Sequence, residues 1–301
     1  MNTSYFHACL KKRRAENGIA TYITEQGRLI DYFHDVVSHF VEHFRSYLGS
    51  PSSATGWIDL RCIEMGAKLS VDQQLILLKP FTHKEIRDAL FRNFPSELHE
   101  TTLSLVPKVV LPDLIQLNQG AFIQGRSIAH NIMIFQDLIE NCGRTSTSPR
   151  CAIKIDLSNA CDTVDWQFLE DLLKAFCFPM KFIGWIMSSR QFQGREMGCQ
   201  GDPMSPLLFV LIMEYLTRSL QVAAHKSTFR FHPMCKSLIL LNLCFADDLI
   251  LFCKGTLSAI RVFKEVLEEF SAATGLSINA SKSHIFFGVN AAERRNITQE
   301  I

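Results

Sequence analysis

The sequence predicts an α+β fold, and three features of its second half indicate it. Residues 151–157 form a short, mostly apolar run with β-branched side chains, which is typical of a buried strand. Ser205 is followed by Pro206, and this pair favours a helix start because proline suits the first helical position. Residues 238–252 contain two apolar runs around an adjacent pair of aspartates, which indicates two short strands.

Helical periodicity and capping patterns predict the other elements. Apolar residues repeat at helical spacing from Ile30 to Leu48, and Gly49 suits a helix stop. Thr82 and Glu85 form a capping-box pattern, so another helix is expected to begin near His83. The remaining predicted elements are a helix capped by Asp165 that extends to Phe176, the helix from Ser205 to about Ala223, an amphipathic helix over 258–273 that stops near Gly275, and a turn and strand over 277–289.

The composition is that of a globular protein with a sizeable core. Of the 301 residues, 47% are hydrophobic and 20% are charged, and the net charge is +1. This balance gives no overall basic field, so any nucleic-acid binding must come from local patches. The longest apolar stretches carry charges, so no transmembrane segment and no membrane partner are predicted. The ten cysteines form no C-x-x-C pair, which favours buried thiols in a reducing compartment, in the nucleus or cytoplasm.

The adjacent Asp247 and Asp248 lie inside an apolar run, where two carboxylates are costly unless they have ionic partners. On a straight strand their side chains would point to opposite faces, whereas at a hairpin turn one or both could converge on a cation. Asp156, at the end of the strand over 154–157, is the second candidate. Carboxylates on neighbouring strand ends can hold hard divalent cations, which activate a hydroxyl nucleophile and stabilise a leaving phosphate. The alternative for each is an ordinary turn or helix-capping aspartate.

Residues 200–206 combine a glycine and two prolines into a rigid entry to a helix. A simple helix start explains the serine and both prolines of this segment. It does not explain Gln200 and Gly201, which suit close backbone approach to a strand of nucleic acid.

Together these segments resemble the reverse transcriptases of plant LINE-type (non-LTR) retrotransposons over nearly the whole chain. The matching motifs are the fingers motif at 118–128, the palm motif at 154–162, the template-positioning motif at 200–206, the FADD signature at 245–248, and a lysine-containing motif at 275–283. Each motif alone is weak, but five in this order are specific.

The resemblance implies an RNA-directed DNA polymerase that uses Mg²⁺ or Mn²⁺ to extend a DNA primer along an RNA template with dNTPs. It implies that Asp156, Asp247 and Asp248 are metal-binding and catalytic, with Lys282 as a candidate proton donor to pyrophosphate. The residues expected to bind template or nucleotide are Gln200, Gly201, Cys161 and Arg126. The implied architecture is a helical connector over 1–95, partial fingers over 96–150, a palm-like core over 151–289 and a truncated tail over 290–301, without a thumb or a preceding endonuclease.

Several departures from the family pattern predict a loss of activity. A family segment is missing after residue 91, and the segment that helps to shape the nucleotide pocket is missing after Lys108. Only a short bridge remains before residue 198. Cys161 stands where the family usually has a bulky Tyr or Phe that excludes the ribose 2′-hydroxyl. Asn159 and Cys199 replace the usual Lys and Arg.

Three functions stay open on this basis. The favoured one is a polymerase remnant that keeps its metal ligands but lacks processive activity. The second is an active minimal polymerase, and the third is a non-enzymatic module that binds nucleic acid or a partner. An unrelated metal-dependent phosphotransferase fits Gln200, Gly201 and the 275–283 motif poorly.

Overall fold

The computed structural model describes residues 22–23, 28–32, 34–40, 54, 56–80, 82–83, 110–140, 149–158, 164–193 and 204–288. The chain divides into two compact units, Met1–Ser50 and Pro51–Ile301. In the first unit, strands β1 (Tyr22–Ile23) and β2 (Leu29–Ile30) pair antiparallel, and residues 34–40 are helical. The predicted helical start at Ile30 is wrong, because Ile30 belongs to β2 and the described helical residues begin at 34. The part of the predicted helix from residue 41 to Leu48 lies outside the described residues.

The second unit contains the predicted mixture of helices and strands. Its elements are α1 (Leu60–Glu64), α2 (Val71–Leu78), α3 (Leu111–Leu114), α4 (Ile128–Glu140), β3 (Arg150–Ser158), α5 (Trp166–Ala175), α6 (Met180–Gln193), α7 (Ser205–Ala224), β4 (Asn242–Phe245), β5 (Asp248–Lys254), α8 (Leu257–Thr274), β6 (Ser277–Ile278) and β7 (His284–Gly288). The predicted cap of α5 is confirmed, because the Asp165 side chain accepts a hydrogen bond from the Phe168 amide. The predicted stop of α8 is confirmed as well, since Gly275 adopts a left-handed conformation with φ 81°.

The strands form an antiparallel sheet with the order β4-β5-β3-β6, and β7 also pairs with β3. Along one edge of β3, β5 pairs without interruption from Arg150↔Lys254 to Asp156↔Asp248. Along the other edge, β7 pairs with residues 150–154 and β6 pairs with residues 157–158. The turn that joins β6 to β7 therefore lies beside residues 155 and 156 of β3.

The two faces of this sheet have different roles. On one face, Ile153 and Ile155 of β3 and Leu249 and Leu251 of β5 join the main hydrophobic core, together with apolar side chains of α5, α7 and α8. On the opposite face, a smaller cluster forms around Phe252, with Leu138 of α4 among its buried members. Because paired residues share a face and neighbours alternate, Asp156 and Asp248 belong to this second face. The predicted α+β class is confirmed.

Helix α7 carries a fully buried ion pair that joins distant segments. Arg218 Nε donates to Glu214 Oε1 at 2.7 Å, and neither side chain has exposed surface. The Arg218 guanidinium also donates to the carbonyl oxygens of Ile63, at 3.0 Å, and Leu114, at 3.0 Å. An unpaired buried charge is strongly destabilising, so these bonds tie α1 and α3 to α7. The segment around α1, which the sequence prediction placed in the connector over 1–95, thus belongs to the same compact unit as the sheet.

Helix α7 is, among the described residues, the one helix long and apolar enough to cross a membrane. However, 78% of its apolar window is buried inside the protein. The helix also contains the Glu214–Arg218 pair. A core helix meets the same criteria of length and composition, so these two properties are weak evidence for a membrane span.

Helix α5 ends in a strained residue that provides a test of the fold. Cys177 has φ 65°, and the amides of Cys177 and Phe178 donate to the carbonyls of Lys174 and Leu173, as in a Schellman motif. A left-handed conformation costs a residue with a Cβ about 1–2 kcal/mol, and a glycine at this position removes that cost. The greater conformational freedom of glycine in the unfolded chain offsets about 0.4–1 kcal/mol of the stability gained. We expect Cys177→Gly to raise the free energy of unfolding by about 0.5–1 kcal/mol.

Urea denaturation measures this change, and Cys177→Ala is the matched control because it removes the thiol and keeps the strain. The Cys177 side chain is exposed, so the loss of the thiol alone changes little. A Cys177→Gly variant no more stable than Cys177→Ala would contradict the assignment of strain.

Candidate functional site

Asp156 and Asp248 lie directly opposite each other on β3 and β5. Such partners in an antiparallel sheet have Cα atoms about 4.5–5.5 Å apart, and their side chains point to the same face. Asp156 is half-buried and Asp248 is exposed. The expectation that Asp156 lies close to the turn containing the adjacent aspartates is therefore confirmed.

Asp247 lies in the turn that joins β4 to β5 and is exposed. The preceding residue, Ala246, has φ 57°, a conformation that is strained for a residue with a Cβ. Its amide donates to Oε1 of the buried Gln119 at 3.4 Å. Strain of this kind persists where the surroundings hold the backbone in place, and it is frequent at functional sites.

The loop containing Gln119 also closes the free edge of β4. The Cys244 amide donates to the Asn118 carbonyl at 2.8 Å, and the Gly120 amide donates to the Cys244 carbonyl at 2.9 Å. Asn131 of α4 adds a side-chain bond to the same Cys244 carbonyl at 2.9 Å. Two motifs that are far apart in sequence, 118–128 and 245–248, therefore meet at this edge of the sheet.

The turn between β6 and β7 binds both backbone polar groups of Asp156. The Asp156 amide donates to Ser283 Oγ at 3.1 Å, and the Asn279 amide donates to the Asp156 carbonyl at 2.8 Å. Ser283 Oγ in turn donates to the Asn279 carbonyl at 2.8 Å. This clamp replaces the regular ladder that β3 lacks at this position, so the 275–283 motif positions the carboxylate.

Lys282 lies in the same turn and is exposed. Its amide donates to Asn279 Oδ1 at 3.2 Å, which fixes its main chain four residues from the end of β6. Its role as a proton donor stays a prediction.

Arg126 uses its guanidinium to bind the protein's own backbone. It donates to the carbonyl oxygens of four residues, Pro112, Ile115, Gln116 and Gln119, at 2.5–3.2 Å. Burial lowers the pKa of this guanidinium, and the nearby Glu214 carboxylate opposes that shift. A guanidinium has five N–H donors, so four of them are engaged in holding the loop after α3. Binding of a nucleotide by Arg126 stays a prediction, and the structure shows a structural role.

The other residues predicted to bind template or nucleotide, Gln200, Gly201 and Cys161, lie outside the described residues. The same holds for Asn159 and Cys199. Their positions relative to the carboxylates therefore stay predictions.

The donor chemistry of the Asp156–Asp248 pair fits a hard divalent cation. Carboxylate oxygens are the protein ligands that Mg²⁺ prefers, and Mg²⁺ is usually held by one or two carboxylates together with water and phosphate oxygens. Within the described part of the chain, no three His, Cys, Asp or Glu side chains converge closely enough to hold a metal. The pair that the structure brings together can thus supply part of a coordination shell.

One charged residue at the site is missing from the sequence prediction. Lys154 Nζ lies 3.4 Å from Asp248 Oδ1. Its position two residues before Asp156 in a predicted strand is a signal that could have identified it, because residues i and i+2 share a face.

Residues 97–298 match the family model described as "Reverse transcriptase (RNA-dependent DNA polymerase)". The match covers about two-thirds of the chain, and the chain therefore belongs to the reverse transcriptase family.

Two proteins of transposable elements are similar to this chain. The "Transposon TX1 uncharacterized 149 kDa protein" of Xenopus laevis is 28% identical over 197 residues, which cover 60% of this chain and 14% of that protein. The "Retrovirus-related Pol polyprotein from type-2 retrotransposable element R2DM" of Drosophila melanogaster is 29% identical over 145 residues, which cover 42% of this chain and 13% of that protein. The chain thus spans about a seventh of the length of these relatives.

Among solved structures, telomerase from Candida tropicalis in complex with a TWJ fragment of telomeric RNA is similar with a TM-score of 0.49. The sequence identity is 12%, and the alignment covers 90% of this chain and 47% of that chain.

The Ser283 hydroxyl provides a test of the clamp on Asp156. Ser283→Ala leaves the half-buried Asp156 amide without its acceptor, and an unsatisfied donor costs about 1–3 kcal/mol when buried. Because the amide is only half-buried, we expect the free energy of unfolding to fall by about 1 kcal/mol, near the lower end of this range. We also expect faster hydrogen exchange of the Asp156 amide. Urea denaturation and amide exchange measure the two effects.

Ser281→Ala is the matched control, because the Ser281 hydroxyl lies in the same turn and donates to the Asn279 side chain at 2.6 Å. Ser283→Thr keeps the hydroxyl and should restore protection of the Asp156 amide. Equal exchange rates in the two alanine variants would argue against the clamp.

Proposed function

We propose that this chain is a reverse-transcriptase domain that retains its cation-binding carboxylates but does not extend primers. The observation that carries this proposal is the direct cross-strand pairing of Asp156 and Asp248 beside the turn that contains Asp247. Family membership supports the chemistry, which is nucleotidyl transfer from dNTPs to a DNA primer on an RNA template. The amino-acid sequences of the five motifs support an origin in a plant LINE-type element.

The proposed arrangement assigns the sheet, with α5, α7 and α8 on its core face, to a palm-like core over 151–289. Residues 110–140 belong to the partial fingers. At the carboxylate pair, Mg²⁺ or Mn²⁺ when bound supplies charge neutralisation for phosphate oxygens and activation of the primer hydroxyl. Asp156 and Asp248 would hold the cation. Asp247 would act as a further catalytic carboxylate from the adjacent turn, although the three carboxylates do not converge on one point among the described residues. Lys282 would donate a proton to the departing pyrophosphate.

The proposed loss of activity follows from the demands of phosphoryl transfer. This reaction depends on holding the primer end, nucleotide and cations in near-attack geometry, and a misplacement of about 1 Å can cost roughly 10²-fold in rate. The carboxylates supply the cation part of that geometry. The family segment that holds the triphosphate is missing after Lys108, and Cys161 replaces the bulky ring beside the ribose.

A primer-extension assay tests the proposal, with an RNA template, a labelled DNA primer, dNTPs and Mg²⁺. We expect no template-dependent extension above that of Asp247→Asn, purified in parallel to measure contaminating polymerases. This variant removes one carboxylate charge and keeps the side-chain volume. Extension clearly above this blank would show that the domain is an active minimal polymerase.

A further inference from the structure

We infer that Lys154 is a built-in counter-ion that competes with divalent cations for Asp248. This inference rests on the proposed function, because it concerns the same carboxylate pair. It assigns to the site a residue that controls cation affinity without being a ligand.

The geometry places Lys154 on the same face as both carboxylates. It precedes Asp156 by two residues on β3, and its direct partner on β5 is Ile250. Asp248 is therefore its diagonal neighbour, and Lys154 Nζ lies 3.4 Å from Asp248 Oδ1. The side chains are 43% and 61% exposed, so a solute cation can reach the same oxygen.

Electrostatic repulsion between Asp156 and Asp248 explains why an ion pair with Lys154 is favourable. Like charges placed directly opposite each other across two strands destabilise the sheet, and Asp156 and Asp248 are such a pair. The Lys154 ammonium cancels one of the two negative charges while no cation is bound. The neighbouring ring of His284, the β7 partner of Lys154, is engaged through Nδ1 with the Lys282 carbonyl at 2.8 Å. Among the described residues, the basic side chain that forms an ion pair with Asp248 is that of Lys154.

The surroundings of Lys154 favour the ion-paired position. Lys154 and Asp248 both line a cavity of about 260 Å³ between α4 and the sheet. The walls of this cavity include Phe135, Ile250 and Phe286. Apolar walls suit the methylene stem of a lysine whose charged end reaches water. The stem of Lys154 can therefore pack against these walls while its ammonium pairs with Asp248.

A divalent cation that recruits Asp248 must displace this ammonium. Removing the ammonium should therefore tighten cation binding. Exposed ion pairs contribute modestly to stability, so we expect Lys154→Met to raise the affinity for Mn²⁺ roughly two- to fivefold. Lys154→Gln, a second neutral variant with a polar end, should give a rise in the same direction, and Lys154→Arg keeps the charge and should bind Mn²⁺ like the natural chain.

Lys254→Met is the matched control for loss of a positive charge. Lys254 lies on the same strand as Asp248, six residues further along β5. At a rise of about 3.4 Å per residue it is roughly 20 Å away, beyond the screening length of about 8 Å at physiological salt. This variant should leave the affinity for Mn²⁺ unchanged.

The experiment is a titration of the full chain with Mn²⁺, in which the electron paramagnetic resonance signal of free Mn²⁺ is measured. A variant with both Asp156→Asn and Asp248→Asn is titrated alongside, and circular dichroism checks the folding of each protein. Equal binding by this double variant and the natural chain would place the cation elsewhere and overturn the proposed function. Loss of binding in the double variant, without tighter binding in Lys154→Met or Lys154→Gln, would overturn the role of Lys154 alone.

Discussion

The pairing of β3 with β5 is the constraint on which both the core and the candidate site depend. Side chains alternate between the faces of a sheet, so a slip of one residue would exchange the two faces. In the observed register, Ile153 and Ile155 face the main core with Leu251 and Leu249 as their partners. The same register places Asp156 opposite Asp248 on the other face. The burial of apolar side chains thus holds two carboxylates on opposite positions of neighbouring strands, although their charges repel each other.

The site is built where regular pairing of β3 ends. On its second edge, β3 meets the turn between β6 and β7 in place of a ladder partner, and Ser283 and Asn279 satisfy the backbone of Asp156. On the β4 side, the Gln119 side chain holds the strained Ala246 next to Asp247. Motifs that resemble the family pattern therefore hold one another through hydrogen bonds to the backbone, and they meet around the strand ends that carry Asp156 and Asp248.

The sequence predicts the strands, the carboxylates and the family, because each has a local signal. A short, mostly apolar run with β-branched residues predicts β3, a capping aspartate predicts the start of α5, and the order of five motifs predicts the family. Helix α4 is absent from the sequence prediction although Ser127 precedes it, and its apolar residues Ile128, Ile132 and Phe135 recur at helical spacing. The i, i+4 spacing of Glu214 and Arg218 likewise gives a local signal for their ion pair.

Other features have no local signal. The register of β3 against β5 depends on how two distant segments pack, and the apolar pattern of either strand allows several partners. The four carbonyls that hold Arg126 come from α3 and the loop after it, whose path is set by tertiary packing, so the internal contacts of Arg126 have no local signal. The ion pair of Lys154 with Asp248 depends on the same register.

The central claim is that the register brings Asp156 and Asp248 to one cation. Paramagnetic line broadening by substoichiometric Mn²⁺ tests it directly, in an amide-resolved nuclear magnetic resonance spectrum of the full chain. The account predicts that the amide signals of Asp156 and Asp248 broaden together, while those of Arg150 and Lys254, at the far end of the same ladder, stay sharp. Broadening at only one of the two strand ends, or at neither, would contradict it.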